Sequence, residues 1–504
     1  MRKFCYLVYK YGLPAIIFII IVCGIIIRLK LILFNQSMWS DECSLYLNIS
    51  QADYLGFFKP LNWLQVAPPI FMVIEKIIYD LFNNILPMEI TPRLFPFFCS
   101  IVTLFIFPFF VDKVYKNRVI TAVITFMTAF TPYVANYANE VKQYSCELCV
   151  SILMFMFFYF FDIRKISPTK LVIISFIVAM APLLSFSSFF IIVAGSLIIF
   201  HNMYENRKVI NFPILFLCYF IPLCITEFSI YFLQIKPIFD DKYLELLLYW
   251  SVTNPCMFTF SSFYGKFSST IQELMGAFCN LDYAHWHIFF ISSMLLLLLN
   301  KNKKLAILLL GSLAATIAAS FVDVYPFDCR LILFLFPVFA IIYTQAFLFL
   351  DKKIFSVLIV AILLFGTVIA IKYPLDTYII HDSKIREVFK DLQSVNPKLK
   401  NIIGPEGPLE TYSGAYAVLG INVWENFDAK FFEEEMCALP NGTYYAYLPD
   451  NDDTNFNDDL KKMIMSSDNF SMMPIYSSNG KEYRNILKIY NYCKKEKTVG
   501  KDKN

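Results

Sequence analysis

Residues 13–34 read LPAIIFIIIVCGIIIRLKLILF, and the chain then continues Ser37-Met38-Trp39-Ser40-Asp41-Glu42. The first run has the roughly 17 to 25 apolar residues that a bilayer crossing needs. Two adjacent carboxylates stand at its mouth. Of the 40 Asp and Glu residues in the chain, 20 follow Tyr373, so the others are thinly spread over a strongly apolar stretch. Charged groups near a membrane interior are costly and are retained for function. Asp41 and Glu42 are therefore read as a candidate reaction centre. The simpler reading is that Ser40-Asp41, ahead of Leu45 and Leu47, starts a surface helix.

Working outward, 58% hydrophobic and 18% aromatic residues exclude a soluble globule. No small-residue cleavage site follows Phe34, so 13–34 is read as a retained first span. Eleven segments read as spans: 13–34, 93–111, 118–135, 144–161, 170–186, 187–202, 209–233, 285–300, 304–321, 331–350 and 353–372. With Arg2, Lys3 and Lys10 cytoplasmic, alternate short loops are basic, as the positive-inside rule requires. They carry Lys113, Lys116 and Arg118; Arg164, Lys165 and Lys170; Arg207-Lys208; Lys301, Lys303 and Lys304; and Lys352-Lys353. The phasing holds only if 66–83, which carries Glu75, Lys76 and Asp80, lies along the outer face instead of crossing. The stretch 170–202 must hinge near Ser185–Ser188.

The outer side then receives the loop 35–92, the turn 136–143, the loop 234–284 and everything from Tyr373 onward. Turn signals and alternating runs such as Thr443-Tyr444-Tyr445-Ala446-Tyr447-Leu448 predict an extracytoplasmic α/β domain over 373–493, followed by a disordered basic tail, 494–504. Residues 1–372 form the transmembrane module.

Several ionisable groups fall at span ends on the outer side. Arg93 opens the second span. The turn after the third reads Tyr137-Ala138-Asn139-Glu140-Val141-Lys142-Gln143-Tyr144, with Glu147 one helical turn further on. Arg330 follows Tyr325-Pro326-Phe327-Asp328-Cys329. Arg93, Lys142 and Arg330 suit a phosphate held at the bilayer surface, Arg as a fork and Lys as a point charge. Snorkelling, or pairing with Glu140, Glu147 and Asp328, is the structural alternative. Arg28 and Lys30, near the outer end of the first span, breach the positive-inside pattern; contact with a phosphate is the less favoured reading of them. Asp240-Asp241 could take a divalent cation, though no cluster demands one. The four histidines (His201, His285, His287, His381) are dispersed and the 13 cysteines show no paired metal-ligand spacing, so no metal site is expected. Cys146-x-x-Cys149 reads as small core residues of a helix. No Gly-rich phosphate loop is present, and the net charge of +3, placed by topology, gives no nucleic-acid partner.

In their order along the chain these motifs resemble those of the polytopic GT-C glycosyltransferases, in particular the bacterial protein O-mannosyltransferase-like members (glycosyltransferase family 39). Ser37-Met38-Trp39-Ser40-Asp41-Glu42 looks like the first outer-loop motif of that family. Gln65-Val66-Ala67-Pro68-Pro69-Ile70-Phe71 is similar to its surface helix, and Pro92-Arg93-Leu94-Phe95-Pro96 to the opening of its second span. Glu140-Val141-Lys142-Gln143-Tyr144 and Pro326-Phe327-Asp328-Cys329-Arg330 match two further motifs. Ala67 stands where His is common, and Lys142 where many bacterial members have Arg, so the donor sugar stays open.

The resemblance implies inverting transfer of a sugar from a polyprenyl-phosphate-linked donor to an acceptor hydroxyl on a glycan, lipid or protein, run at the outer face of a bacterial inner membrane. It carries the general base to Asp41, with Glu42 beside it, and donor phosphate to Arg93. By their place at the span ends, Glu140, Lys142, Tyr144, Glu147 and Arg330 are the further candidates for binding substrate. No cofactor is required, and a divalent cation is compatible with the chemistry. A lipid-linked sugar flippase would predict pseudo-repeated halves, which the chain lacks. An oligosaccharide polymerase or ligase of the same broad fold is the other rival.

Overall fold

In a computed structural model of the 504-residue chain, the described residues are 2–63, 65–238, 256–275, 283–299, 302–349, 354–379, Arg386 and five strands between 402 and 491. Asp240-Asp241, the His285 and His287 side chains, His381 and the tail 494–504 lie outside them. The chain forms two units: residues 1–35 with 49–380, and residues 36–48 with 381–504.

The first unit is helical. Helix α1 (Arg2–Leu7) runs through a π turn into α2 (Leu13–Phe34), which ends where Asn35 adopts a left-handed φ of 50°. Next in chain order is α3 (Ser40–Gln51), whose residues 40–48 belong to the second unit. Pro68-Pro69 then start α4 (Pro69–Phe82), since proline's fixed φ suits a first turn where no N–H is needed. Helix α5 (Leu94–Tyr115) follows a 3₁₀ turn, Thr91–Arg93, and stops at Lys116, again left-handed with φ 48°. The Asn117 side chain then caps α6 (Arg118–Phe130) by accepting from Val119 N at 3.1 Å.

Pro132 breaks the next stretch. Helix α6 and the segment Pro132–Asn139, which begins with α7 (Pro132–Asn136), meet at 62°. Next come α8 (Tyr144–Phe160), α9 (Pro168–Ala179), α10 (Ser188–Glu205) and α11 (Phe212–Ile230). After them come α12 (Phe263–Met275), α13 (Tyr283–Leu299), α14 (Lys303–Phe321), α15 (Phe336–Thr344) and α16 (Ile354–Lys372).

Among the described residues six helical stretches are long and apolar enough to cross a membrane: 3–34, 91–115, 188–205, 212–238, 303–321 and 355–372. Joining the bent pair makes a seventh. The expected spans 144–161, 170–186, 285–300 and 331–350 fall on shorter apolar helices. Residues 66–83 are not among the spans, and α4 shows why: Lys76 pairs with Asp80 at 3.3 Å on one face, while Phe71, Met72 and Glu75 are buried on the other.

One core joins α2, α5, α6 and α16 through residues such as Ile20, Leu104, Ala129 and Leu363; a larger one lies around α8, α10, α14 and α15. In the latter, α8 and α10 approach so closely that a Cβ on Gly195 would come within 2.3 Å of the Phe158 ring.

The second unit contains a five-stranded sheet in the order β2-β1-β3-β5-β4. Its strands are β1 (Ile402–Gly404), β2 (Val418–Gly420), β3 (Gly442–Tyr447), β4 (Phe470–Tyr476) and β5 (Glu482–Asn491). Parallel pairs β1–β2 and β1–β3 adjoin antiparallel pairs β3–β5 and β5–β4, with Tyr445 opposite Lys488. The helical half of the expected α/β domain falls on residues outside those described.

Candidate functional site

In the second unit, Glu42 occupies the third position of α3. Its carboxylate turns back to accept the Trp39 backbone N–H at 3.4 Å, the reciprocal half of a capping box, and the residue is 1% exposed. Cys43 N donates to Trp39 O at 3.0 Å, and the Cys43 thiol is directed to Met38 O. Asp41, one position earlier, is half-buried. The Ser37 hydroxyl accepts from Arg386 N at 3.3 Å, which ties this segment to the later part of the chain in the same unit.

In the first unit the bend at Pro132 re-aims the chain and produces a polar cluster. Asn136 donates to the Glu140 carboxylate. Lys142 Nζ donates to Gln65 Oε1 at 2.7 Å, and Gln143 Nε2 to Val66 O at 3.3 Å, so the turn 140–143 is fastened to the extended residues that precede α4. Tyr137 packs edge-on against Tyr144, with ring centroids 5.0 Å apart, and stands within electrostatic reach of Glu140, Arg330 and Asp328. Ser187 lies beside the Glu147 carboxylate and favours its charged form.

The late motif enters from the other side. Arg330 Nε lies 3.6 Å from Asp328 Oδ1, Cys256 Sγ is 3.6 Å from Asp328 Oδ2, and Tyr325 OH donates to Leu331 O at 2.8 Å. Burial pushes the Cys256 thiol up to about 12, with Asp328 acting in the same direction. Burial, reinforced by Glu147, Tyr144 and Asp328, pushes the Tyr325 phenol well above its ordinary range. Tyr325 and Tyr137 thus join Glu140, Tyr144, Glu147 and Arg330 into one neighbourhood, although the two motifs are far apart in sequence.

Arg93 is buried at the start of α5, as is Glu89 just before it. Arg28 does not reach outward: it is wholly buried and bonded within the helices. The reading from sequence also missed two members. Tyr133 OH donates to the Glu273 carboxylate, and the Cys329 thiol lies beside the same group. The available signal was the apolar spacing Phe263, Phe267, Ile271, Leu274, which makes α12 amphipathic and brings its polar edge to the cluster.

Among the described residues no group of three or more His, Cys, Asp and Glu side chains converges as metal ligands. The cluster is instead a set of cations, carboxyls, phenols and amides held at helix ends. Such a set can bind an anionic headgroup and exchange protons with hydroxyls.

No protein-family description matches the chain, and no curated protein matches it by sequence. Solved structures do. ArnT from Cupriavidus metallidurans bound to undecaprenyl phosphate superposes with a TM-score of 0.54 at 11% identity, over 93% of this chain and 97% of that one. The same protein in the apo state gives 0.50 at 12%, over 93% and 97%. The chain has the GT-C fold. The Archaeoglobus fulgidus oligosaccharyltransferase, in complex with Zn and sulfate, shares it, with a TM-score of 0.51 at 11% identity over 94% of this chain and 73% of that one.

Proposed function

We propose that this protein is an integral-membrane glycosyltransferase that moves a sugar from a polyprenyl-phosphate-linked donor to an acceptor hydroxyl, with inversion at the anomeric carbon. The observation that carries the reading is the cluster at the helix ends of a GT-C fold, where Lys142 and Arg330 sit among Glu140, Tyr144 and Glu147. The fold it shares with ArnT, solved with undecaprenyl phosphate bound, supports a lipid-phosphate ligand. The motif order supports an O-mannosyltransferase-like ancestry and leaves sugar and acceptor (protein, glycan or lipid) to experiment.

In this mechanism Asp41 takes the acceptor hydroxyl proton and the oxygen attacks the anomeric carbon. The bond to the lipid phosphate then breaks, and Arg93, Lys142 and Arg330 take up the charge of the leaving phosphate. Asp41 is chosen as base because the first outer-loop motif that the chain resembles carries its base at that position. The donor arrives in the membrane, so no nucleotide site is needed; a divalent cation is an optional aid. The topology we assign has eleven crossings, a cytoplasmic N-terminus and residues from Tyr373 onward outside the inner membrane of a bacterium.

The test uses purified protein in lipid nanodiscs, a panel of radiolabelled polyprenyl-phosphate sugars and a lysate as acceptor source, with wild type beside Asp41→Asn. Transfer from one donor, lost in Asp41→Asn while donor still binds, is the expected result. Donor binding without transfer, unchanged in Asp41→Asn, would instead favour a lipid-linked sugar flippase.

A further inference from the structure

Arg28 is fully buried toward the end of α2, and its partners are all neutral. Nε donates to Ser100 Oγ at 2.6 Å, Nη1 to Gly24 O and Ala129 O at 3.1 Å each, and Nη2 to Thr128 O at 3.0 Å. No carboxylate appears among them. A buried guanidinium without a counter-ion needs another reason to be there.

The reason lies in the identity of the carbonyls. In a continuous helix Thr128 O would accept the N–H of residue 132, but that residue is Pro132 and has none. Ala129 O would accept from Tyr133, which the 62° bend carries out of line. Met127 O is already served by Thr131 N at 3.0 Å and Thr131 Oγ1 at 2.7 Å. Of the carbonyls that the break leaves without a helical donor, Arg28 takes two, Thr128 O and Ala129 O. They form the negative end of the α6 dipole, which offsets the guanidinium charge. Gly24 makes the approach close enough: a Cβ there would lie 3.0 Å from Ala129 Cβ and 3.3 Å from Leu104. A lysine has three N–H donors on one nitrogen, whereas Arg28 spreads its donors over three nitrogens to reach four acceptors.

We propose that Arg28 is a positioning residue: it replaces the backbone donors lost at Pro132 and so fixes the angle at which 132–143 leaves α6. That segment carries Tyr133, Asn136, Glu140 and Lys142. The inference rests on reading this turn as part of the donor site, and it concerns a residue buried away from the site itself.

The experiment is a double-mutant cycle in full-length protein in nanodiscs, read by undecaprenyl phosphate binding and by thermal midpoint. The variants are Arg28→Met, Pro132→Ala and the pair together, because Ala at 132 restores an N–H that serves Thr128 O once Thr131 leaves its extended ψ of 123° and turns helical. Arg28→Met is expected to weaken binding about tenfold in the wild-type background and less than about threefold beside Pro132→Ala, with midpoint losses that do not add. Arg28→Lys is expected to fold and to bind more weakly than wild type. Binding by Arg28→Met within about twofold of wild type, or simple additivity in both readouts, overturns the proposal. If wild type itself does not bind undecaprenyl phosphate, the donor reading fails, and additivity of the midpoints alone then decides the role of Arg28. Arg28→Gln repeats the cycle if Arg28→Met does not fold.

Discussion

Glu75 is the residue whose surroundings most oppose its chemistry. It is fully buried on α4, and neither carboxyl oxygen has a hydrogen-bond partner among the described residues. Burial raises its carboxyl well above the usual carboxylate range. The folded state therefore holds a proton that the unfolded chain releases above its ordinary value, 4.5. The stability tied to that proton is complete below this pH and is lost as pH climbs through the raised folded value. Glu75→Met should accordingly raise the thermal midpoint at pH 7, by on the order of 1–3 kcal/mol of stability, and the gain should fade as the buffer approaches the unfolded carboxyl value. A gain that is independent of pH would contradict this. Lys142 presents the opposite case, a charge with a partner. Gln65→Leu removes the acceptor of its ammonium and should weaken undecaprenyl phosphate binding roughly tenfold. Lys142→Met should weaken it further, and Lys142→Arg should retain most of it, as titration of each variant in nanodiscs will show.

At the scale of elements, packing sets narrow tolerances. Gly195 on α10 faces the inner atoms of the Phe158 ring, so Gly195→Ala forces helices apart and should cost about 1–3 kcal/mol. Phe158→Leu in the same chain should recover much of the loss in melting temperature, a coupling that two independent sites would not show. Elements were also where the sequence spoke most clearly. Long apolar runs such as 13–34 and Lys-rich loops mark the helices, because both lipid crossing and membrane orientation are written in composition. Pro68-Pro69 marked the start of α4. The short helices 290–299 and 333–348 were harder, since a buried helix end and an apolar loop have the same composition. The residues at span ends were legible, but their grouping was not. Nothing local to Glu140 signals that Tyr137 links it to Arg330, and the Tyr133–Glu273 pair joins residues 140 positions apart. Glu42 shows the reverse: its capping role is short-range and readable, as Ser40-Asp41-Glu42 already suggested a helix start.

For the whole molecule, orientation is the property to test. The topology assigned above puts loop 256–264 outside and the turn after α10 inside. Phe260 is 97% exposed, held out by a hydrogen-bonded loop of Thr259, Ser261 and Ser262. Phe260→Cys should react with a membrane-impermeant maleimide in intact cells above the background of the native thiols. Arg207→Cys should react only after permeabilisation. The reverse pattern would invert the assigned topology and with it the face on which the cluster works.

The link between Arg28 and Thr128 has a consequence for how the protein is made. The two residues are 100 positions apart, so α2 leaves the ribosome well before its hydrogen-bond partners exist. At about 5–20 residues per second the delay is of order 5–20 s. Throughout it a bare guanidinium in the hydrocarbon would cost roughly 2.5–3.5 kcal/mol. The nascent first helix must therefore wait in or beside the insertion channel, or ride high with Arg28 in the headgroups, until α6 emerges to draw it down. Insertion of this chain is then ordered by its own chemistry: its first membrane segment reaches its final depth only after the third has emerged.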